Sequence, residues 1–147
     1  MMRISTKGRY AVRIMLDLAL HKEQGTVSLR DISERQNITP KYMESIMSLL
    51  VKEGLVVSTR GKAGGYSLSR PAEDYTVYDI LCAAEGNLQP VQCLTTPTNP
   101  CILKDRCITL PLWEGLGQVI RGYLEKHTLA DLATNGIPEH MESCDGH

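Results

Sequence analysis

Two short amphipathic segments lead directly into a hairpin with a glycine-rich turn, and few folds accommodate this order of elements. Ser28 and Asp31 have the spacing of a helix N-terminal cap, in which a hydroxyl accepts a hydrogen bond from a first-turn amide. Thr39 and Pro40 are suited to be the cap and the first residue of a longer helix, which Gly54 ends. The predicted buried stripe of that helix is Met43, Ile46, Leu49 and Leu50. A short helix, a turn and a longer helix form the helix-turn-helix pattern, which many helical proteins share.

The hairpin that follows makes the prediction much more specific. Residues 55–60 and 66–69 are predicted strands, and the turn between them, Gly61-Lys62-Ala63-Gly64-Gly65, holds three glycines in five residues. Glycine permits positive backbone torsion angles and close approach to another molecule. We therefore predict a winged helix-turn-helix, in which Arg60 and Lys62 bring positive charge to the wing tip and to a minor groove. A phosphate-binding nucleotide loop is disfavoured because no helix follows this turn.

The outward face of the longer helix carries the candidate contacts to a major groove. These residues are Lys41, Tyr42, Glu44, Ser45 and Ser48. Lys41 suits a phosphate or a guanine, and Tyr42 can donate to a phosphate. The DNA backbone repels a carboxylate such as Glu44, but this side chain can accept from a cytosine amine or exclude other sequences. The alternative is that Glu44 pairs with Lys41 one turn away on a solvated face.

Charge is distributed unevenly along the chain, although all 147 residues together have a formal net charge of −1. Residues 1–70 hold 12 Lys and Arg against 6 Asp and Glu, whereas residues 71–147 hold 4 against 11. A basic half joined to an acidic half is typical of a DNA-binding domain with an attached regulatory domain. Chance clustering of charge is the alternative.

Three cysteines lie in a stretch, residues 93–107, that has two prolines and no apolar periodicity. A loop of this length needs something other than a hydrophobic core to order it, and thiolates bound to a metal would do so. Seven residues separate Cys93 from Cys101, and five separate Cys101 from Cys107. Paired zinc ligands are usually only about two to four residues apart, so the spacing fits a multi-iron cluster better. Free thiols or adventitiously bound zinc are the alternative.

The composition indicates a reduced, cytoplasmic location. The chain has five cysteines, an odd number, no secretory pattern at its N-terminus and no apolar run of the roughly 20 residues that cross a bilayer. We therefore expect neither a disulfide framework nor a contact with membranes. Cys82 is expected to be a small buried core residue. Cys144 with His140 and His147 forms a further, less favoured candidate metal site.

Further helices are predicted on either side of these segments. Residues 10–20 form one that packs in the DNA-binding half, residues 76–85 form a connecting helix, and residues 113–127 form a long one. The apolar stripe of the long helix is Trp113, Leu116, Ile120, Tyr123 and His127. This stripe suits a helix that crosses its symmetry mate in a homodimer, and an intramolecular core stripe is the alternative.

Enzymatic function is not expected from these residues. No Ser/His/Asp or Cys/His constellation is present in the sequence, and no nucleotide motif fits its context, so no small-molecule substrate is predicted. An iron–sulfur electron carrier is the rival from another functional class, because it would also use cysteine ligands. Such a carrier has no need of a basic N-terminal half or a wing.

Three segments of the chain resemble a known protein family. They are residues 3–11 (RISTKGRYA), residues 31–36 (DISERQ) and residues 60–66 (RGKAGGY). These motifs resemble those of the Rrf-two family of bacterial transcription regulators, from about Arg3 to about Leu132, and most strongly its iron–sulfur cluster regulators. The resemblance implies a homodimeric winged-helix protein, mainly α with a small β-wing and a long dimerisation helix, that binds a palindromic operator in double-stranded DNA.

The resemblance also implies the DNA contacts. Tyr42, Glu44 and Ser45 fall on contacting positions of the family's recognition helix, and Arg60 falls on its minor-groove arginine. Ser45 replaces a glutamine that is usual in the cluster regulators, so we expect a different operator preference. The full set of predicted DNA contacts is Lys7, Arg9, Lys41, Tyr42, Glu44, Ser45, Arg60 and Lys62.

The implied metal ligands are Cys93, Cys101 and Cys107, which would hold an iron–sulfur cluster, with [2Fe-2S] favoured over [4Fe-4S]. The family's usual spacing is five and five, so the first interval here is two residues longer. Leu110 and Arg9 stand where relatives supply a fourth ligand, and neither side chain can ligate iron. A carboxylate or histidine from either subunit, a small thiol or solvent are the remaining candidates. An incomplete set of protein ligands would leave one iron open to oxygen or nitric oxide, which suits a sensor.

These observations divide the chain into three parts. Residues 1–70 are predicted to form the DNA-binding domain, residues 71–135 the cluster-binding loop and dimerisation helix, and residues 136–147 a flexible tail. The predicted function is transcription regulation, mainly repression, in which the cluster controls the genes of iron–sulfur cluster biogenesis. A nitric-oxide or redox-sensing repressor and a cluster-free regulator of cysteine metabolism are the alternatives within the family.

Overall fold

The computed structural model describes residues 4–95, 98–99, 101, 103 and 105–134. Its helices are α1 (Thr6–Leu20), α2 (Leu29–Gln36), α3 (Pro40–Lys52), α4 (Val77–Glu85), α5 (Leu110–Lys126) and α6 (Leu129–Thr134). Two strands, β1 (Val56–Thr59) and β2 (Gly65–Leu68), lie between α3 and α4. The mainly helical fold with a small wing is thus confirmed. Across these ranges, no helix combines the length and the apolar character needed to cross a membrane.

Side-chain caps fix where the helices begin. The Ser28 hydroxyl accepts from the amide of Asp31 at 3.1 Å, as predicted for α2. Thr39 caps α3 with Pro40 in its first turn, also as predicted. A full capping box occurs at α4, where Thr76 and Asp79 bond each other's backbone amides. The N-terminal helix begins at Thr6 rather than at residue 10, because the Ser5 hydroxyl caps it.

The hydrophobic core lies where α1 packs against α3, α4 and α6. Its fully buried side chains include Ile14, Met15, Leu18, Val27, Ile32, Met43, Ile46, Met47, Leu50, Tyr75, Ile80 and Leu129. The predicted stripe of α3 is correct except at one position. Met47 is fully buried, whereas Leu49 is only half-buried.

The wing is an antiparallel pair in which Val56 lies opposite Leu68 and Thr59 lies opposite Gly65. A further bridge joins Tyr66 to Val27, with both backbone hydrogen bonds at 2.8 Å, so the wing is attached to the segment before α2. Gly65 makes this attachment possible, because a Cβ there would lie 2.5 Å from the Val27 carbonyl oxygen. The wing therefore has a fixed direction relative to the helix-turn-helix.

The segment after the wing returns to the core through backbone hydrogen bonds. The amide of Val77 donates to the carbonyl of His127 at 2.9 Å, and the amide of Leu129 donates to the carbonyl of Tyr75 at 2.9 Å. These bonds tie the start of α4 to the junction of α5 and α6. Helix α6 was not predicted from the sequence, although its first residue, Leu129, is fully buried.

Helix α5 differs from the other long helices because none of its described residues is buried. Two faces can nevertheless be distinguished. Trp113, Ile120 and His127, from the predicted stripe, are half-buried. A second stripe is exposed and consists of Leu112, Leu116, Val119 and Tyr123. The predicted stripe therefore mixes two faces of the helix, since Leu116 and Tyr123 belong to the exposed one.

Candidate nucleic-acid interface and cysteine loop

The first turns of α3 present the predicted recognition residues to solvent. Lys41, Glu44 and Ser45 are exposed, whereas Tyr42 is half-buried and its ring packs edge-on against Tyr10, with ring centroids 5.7 Å apart. The alternative ion pair between Lys41 and Glu44 is not formed, and neither side chain bonds another of the described residues. Both charges are therefore available to a ligand.

A partly buried ion pair holds α2 against α1 and so sets the position of the helix-turn-helix. Arg35 bonds both carboxylate oxygens of Asp17, at 3.0 and 2.7 Å, and the Gln36 amide adds a bond of 2.9 Å. Burial by itself would raise the pKa of Asp17, but these bonds outweigh it and keep the pKa below its usual value. Arg13 bonds the side chain and the carbonyl of Gln36 from α1. The network makes α1 and α2 one rigid support for α3.

The sequence interpretation did not single out Asp17 and Arg35. A signal was present, because Asp17 stands between Leu16 and Leu18 on the apolar side of the first helix. A carboxylate at such a position must be paired or hydrogen-bonded when it is buried.

The wing tip carries the predicted basic residues on an open surface. Arg60 and Lys62 are exposed, and neither bonds another of the described residues. Gly61 has a positive φ of 110°, which favours glycine. A Cβ on Gly64 would lie 2.3 Å from the carbonyl oxygen of Thr59, so the turn closes only with glycine at this position.

Tyr75 closes the base of the wing and was also missed in the sequence. Its hydroxyl donates to the carbonyl of Leu55, just before β1, at 2.7 Å. The same oxygen accepts from the amides of Ser69 and Arg70, just after β2, both at 3.0 Å. Tyr75 lies in a connecting segment that has no apolar periodicity. The large aromatic side chain was therefore the one signal in the sequence that could have predicted its burial.

The remaining predicted DNA contacts lie in the first turn of α1. Lys7 and Arg9 are exposed, and the Arg9 guanidinium donates to the Thr6 hydroxyl at 3.1 Å. Together with α3 and the wing, this turn provides a third basic element within residues 1–70. Which of these residues touch DNA stays a prediction.

The three loop cysteines are all half-buried. Cys93 lies in a short 3-10 turn, Gln92–Leu94, and the amide of Cys101 donates to the Asn99 side chain at 2.9 Å. Among the described residues, no three His, Cys, Asp or Glu side chains are gathered as a metal site. The chemistry of the thiols suits iron, but a shared cluster requires the loop to bring them together.

Cys107 has the most distinctive environment of the three thiols. Hydrogen bonding by the Thr109 hydroxyl, with its oxygen 3.5 Å from the sulfur, and by the amides of Thr109 and Leu110 lowers the pKa of Cys107. The thiolate is the form that binds metals. Because Thr109 is the residue immediately before α5, this thiol lies at the start of that helix.

Cys82 is placed differently from its prediction as a buried core residue. It is half-buried on α4, and its thiol bonds Tyr78, whose ring lies under the guanidinium of Arg121 on α5. Burial is the main cause that raises the pKa of Cys82, so this thiol is protonated at neutral pH. The candidate tail site of Cys144 with His140 and His147, and the predicted tail 136–147, lie outside the described residues.

Comparison with known families places the whole described chain in one of them. Residues 4–135 match the family described as "Rrf2: Iron-dependent Transcriptional regulator". The transcriptional regulator IscR of Serratia proteamaculans is 44% identical over 134 residues, which cover 91% of this chain and 80% of the relative. IscR of Klebsiella pneumoniae is 42% identical, with 91% and 81% covered.

Solved structures agree with this result. T. potens IscR is 35% identical with a TM-score of 0.71, and the match covers 96% of this chain and 93% of that chain. CymR, "the Global Cysteine Regulator of B. subtilis", is 35% identical with a TM-score of 0.73, covering 91% and 98%. A transcriptional regulator from Listeria innocua is 32% identical with a TM-score of 0.76, covering 97% and 93%. The chain belongs to the Rrf2 family of DNA-binding transcription regulators, the Rrf-two family that its motifs resemble.

Proposed function

We propose that the protein is a homodimeric regulator, mainly a repressor, whose operator binding depends on an iron–sulfur cluster held by Cys93, Cys101 and Cys107. The observation that carries this proposal is the position of Cys107. Its thiol, with a lowered pKa, lies at the start of the exposed helix α5, in the loop that follows the DNA-binding half. Relatives named IscR and the family's description as iron-dependent support it. By the same likeness, we propose that the regulated genes serve iron–sulfur cluster biogenesis.

The donor chemistry of the loop fits such a group. Cysteine thiolates are the ordinary protein ligands of iron–sulfur clusters, and [2Fe-2S] is favoured here. When bound, the cluster supplies redox chemistry and iron–thiolate bonds that respond to oxygen or nitric oxide. Cys107 is prepared for ligation by the Thr109 hydroxyl, whereas Cys93 and Cys101 approach from the earlier part of the loop. Ligation would then fix the positions of the three thiols relative to the start of α5.

The DNA-binding half supplies both positioning and sequence recognition. We propose that Lys41, Tyr42, Glu44 and Ser45 enter the major groove, where Glu44 accepts from a cytosine amine. Arg60 and Lys62 would reach the minor groove from the wing, and Lys7 and Arg9 would contact phosphates. In support of this assignment, four of these side chains are exposed and bond none of the described residues, namely Lys41, Glu44, Arg60 and Lys62.

The exposed stripe of α5 is the proposed dimer contact. Leu112, Leu116, Val119 and Tyr123 are 38–68% exposed, and they recur at steps of three and four residues along one side of the helix. Exposure of a continuous apolar stripe to water is unfavourable, and packing against the same stripe of a second protomer would remove it from water. A palindromic operator requires such a two-fold arrangement.

Replacement of Val119 by aspartate is expected to raise the dimer dissociation constant at least tenfold. Val119 is 68% exposed in the monomer, so the fold should be kept. The dimer loses the burial of the valine side chain, worth about 1.5–3 kcal/mol when burial is complete, and also has to bury an unpaired charge. Analytical ultracentrifugation measures the change. Gln118→Asp is the matched control, because Gln118 is an exposed polar neighbour outside the stripe. A Val119→Asp protein that dimerises like the control would exclude this face.

A cluster-free regulator of cysteine metabolism is the second candidate. It is favoured by the TM-scores of 0.73 and 0.72 to CymR of B. subtilis and of Staphylococcus aureus, at 35% and 34% identity. Both candidates share the fold and the DNA-binding half, so only the loop thiols distinguish them. A nitric-oxide responder would share the thiols and differ in the signal.

The decisive experiment is anaerobic purification followed by an absorption spectrum, iron and sulfide counts, and operator binding before and after cluster removal. The operator is a duplex selected from a random library with the anaerobic protein. We expect a coloured protein whose affinity for the operator changes at least fivefold on cluster removal. Cys107→Ala should be colourless, whereas Cys82→Ala should keep the spectrum because Cys82 is not a proposed ligand. A colourless wild type with unchanged affinity would favour the cluster-free candidate.

A further inference from the structure

The carboxylate of Glu85 connects the end of α4 with Ser5, the residue that precedes the first turn of α1. Glu85, the last residue of α4, accepts a hydrogen bond from the backbone amide of Ser5 at 2.9 Å. The Ser5 hydroxyl donates to the same oxygen. Gly8 leaves room for this contact, because a Cβ there would lie 2.2 Å from that oxygen. The carboxylate and the glycine therefore fit each other sterically.

On one side of this contact lies the first turn of α1. Ser5 accepts from the amide of Gly8 through its hydroxyl, at 3.2 Å, and from the amide of Arg9 through its carbonyl, at 3.0 Å. Lys7 and Arg9, two predicted DNA contacts, stand on this turn. A displacement of Ser5 would therefore move the basic residues with it.

On the other side lies the loop that carries the first cysteine. Gly86 ends α4 with a positive φ of 81°, and the chain then runs to Cys93. A cavity of about 360 Å³ lies between this loop, the residue Ile4 that precedes α1, and Ile120 of α5, and Glu85 also lines it. The free volume beside Glu85 allows the loop to change its path without displacing packed core side chains.

An ordinary helix cap is a less complete explanation of this contact. Helix α1 is already capped by the Ser5 hydroxyl, and a carboxylate near a helix N-terminus is worth only about 0.3–1 kcal/mol at an exposed site. Glu85 comes from a position 80 residues away, and it approaches so closely that a side chain at position 8 would have to displace its carboxylate. A cap alone has no need of either feature.

We propose that Glu85 is a positioning residue that transmits the state of the cysteine loop to Lys7 and Arg9 on the first turn of α1. This role rests on the proposed function, because it requires a loop with two states. A ligand shifts an equilibrium only through contacts that differ between two arrangements. The contact between Glu85 and Ser5 is the element that differs, formed when the loop holds the end of α4 against α1 and broken when the loop moves.

The test compares operator affinity of the cluster-loaded and cluster-free protein for Glu85→Ala, Glu85→Gln and wild type. We expect the ratio of the two affinities to be at least fivefold in wild type and within twofold of unity in Glu85→Ala. Glu85→Gln should recover part of the ratio, because the amide oxygen still accepts from Ser5. Glu114→Gln, at an exposed position of α5, is the control and should keep the full ratio.

A second variant approaches the same contact from the other side. Gly8→Ala should also abolish the ratio, since the added methyl group displaces the Glu85 carboxylate. The cluster spectrum and the unfolding temperature are recorded for every variant. If Glu85→Ala and Gly8→Ala bind cluster and keep the wild-type ratio, the contact is structural only and the coupling role is overturned, even if both variants unfold at lower temperature.

The outcomes also distinguish this inference from the proposed function. A wild type that binds a cluster and responds to it, with variants that respond equally, overturns the role of Glu85 alone. A wild type that binds the operator equally in both states overturns the cluster response and the coupling role together. Hydrogen exchange at the amides of Ser5 to Arg9 gives an independent readout. These amides should exchange differently in loaded and free wild type and identically in the two forms of Glu85→Ala.

Discussion

Replacement of Arg35 by methionine is expected to lower the free energy of unfolding by about 1.5–3 kcal/mol, the range for hydrogen bonds to a charged group. The Asp17 side chain is only 1% exposed, so its carboxylate would stay buried without the guanidinium of Arg35. Gln36 would still donate to it from α2, and the His21 ring nitrogen lies 3.5 Å from one of its oxygens. The measurement is urea unfolding at pH 7, followed by circular dichroism.

The reverse replacement, Asp17→Asn, should cost less. The Arg35 side chain is 32% exposed, so water can solvate the guanidinium when its partner is gone. The double variant should recover at least half of the loss of Arg35→Met, because no buried charge remains. The ion-pair interpretation would be wrong if the double variant were less stable than Arg35→Met alone.

The pH dependence provides a further check on the same pair. Burial acts to raise the pKa of Asp17, but the bonds from Arg35 and Gln36 together hold it below its ordinary value of 3.8. A carboxyl group with a depressed folded-state pKa stabilises the fold above about pH 4 and loses this contribution as the pH falls through the folded-state pKa. The difference in free energy of unfolding between wild type and Arg35→Met should therefore become smaller below about pH 4. A difference that grows on acidification would contradict this assignment.

Removal of one hydroxyl, in Tyr75→Phe, is expected to lower the free energy of unfolding by about 1–3 kcal/mol. The substitution leaves the carbonyl of Leu55 and the amides of Ser69 and Arg70 without their common partner, and an unsatisfied buried group costs about 1–3 kcal/mol. The phenyl ring itself still fills the core, since Tyr75 is 0% exposed. Thermal and urea unfolding measure the loss.

The same substitution should weaken operator binding, because these three bonds hold the two strands together at the base of the wing. Tyr66→Phe is the matched control: Tyr66 lies on β2, half-buried, and its hydroxyl bonds none of the described residues. We expect it to change stability by less than about 0.5 kcal/mol. Equal effects of the two tyrosine variants would mean that the Tyr75 hydroxyl does not support the wing.

The sequence predicts the DNA-binding half well because its signals are local. Capping residues such as Ser28 and Thr39, and the glycines of the hairpin, act within a few residues of their own position, so a reader of the sequence can recognise them. Local sequence patterns did not predict that Met47, rather than Leu49, is the fully buried residue of α3. Both residues fit the helical period, and tertiary packing against α1 and α4 decides which one is buried.

Contacts between distant residues could not be predicted in the same way. The hydrogen bonds of Tyr75 and the contact of Glu85 with Ser5 depend on how the chain folds back on itself, and no local pattern announces them. Helix α6 is short and follows α5 after only two residues, so its apolar pattern could not be distinguished from that of the preceding helix. The cysteines were predicted as ligands from their chemistry and spacing, and their convergence stays a prediction.

The attachment of α5 has a mechanical consequence. Its carboxyl end is pinned to the start of α4 by the bond between Val77 and His127, whereas the opposite end begins beside Cys107. Seventeen residues make a rod of about 25 Å, so a tilt of roughly 5° about the pinned end would swing the other by about 2 Å. In a proposed dimer in which two such helices face each other, a shift of this size at the thiols would change the angle at which the helices cross. A changed crossing angle would in turn alter the distance between the two winged domains, which must match the two half-sites of a two-fold operator.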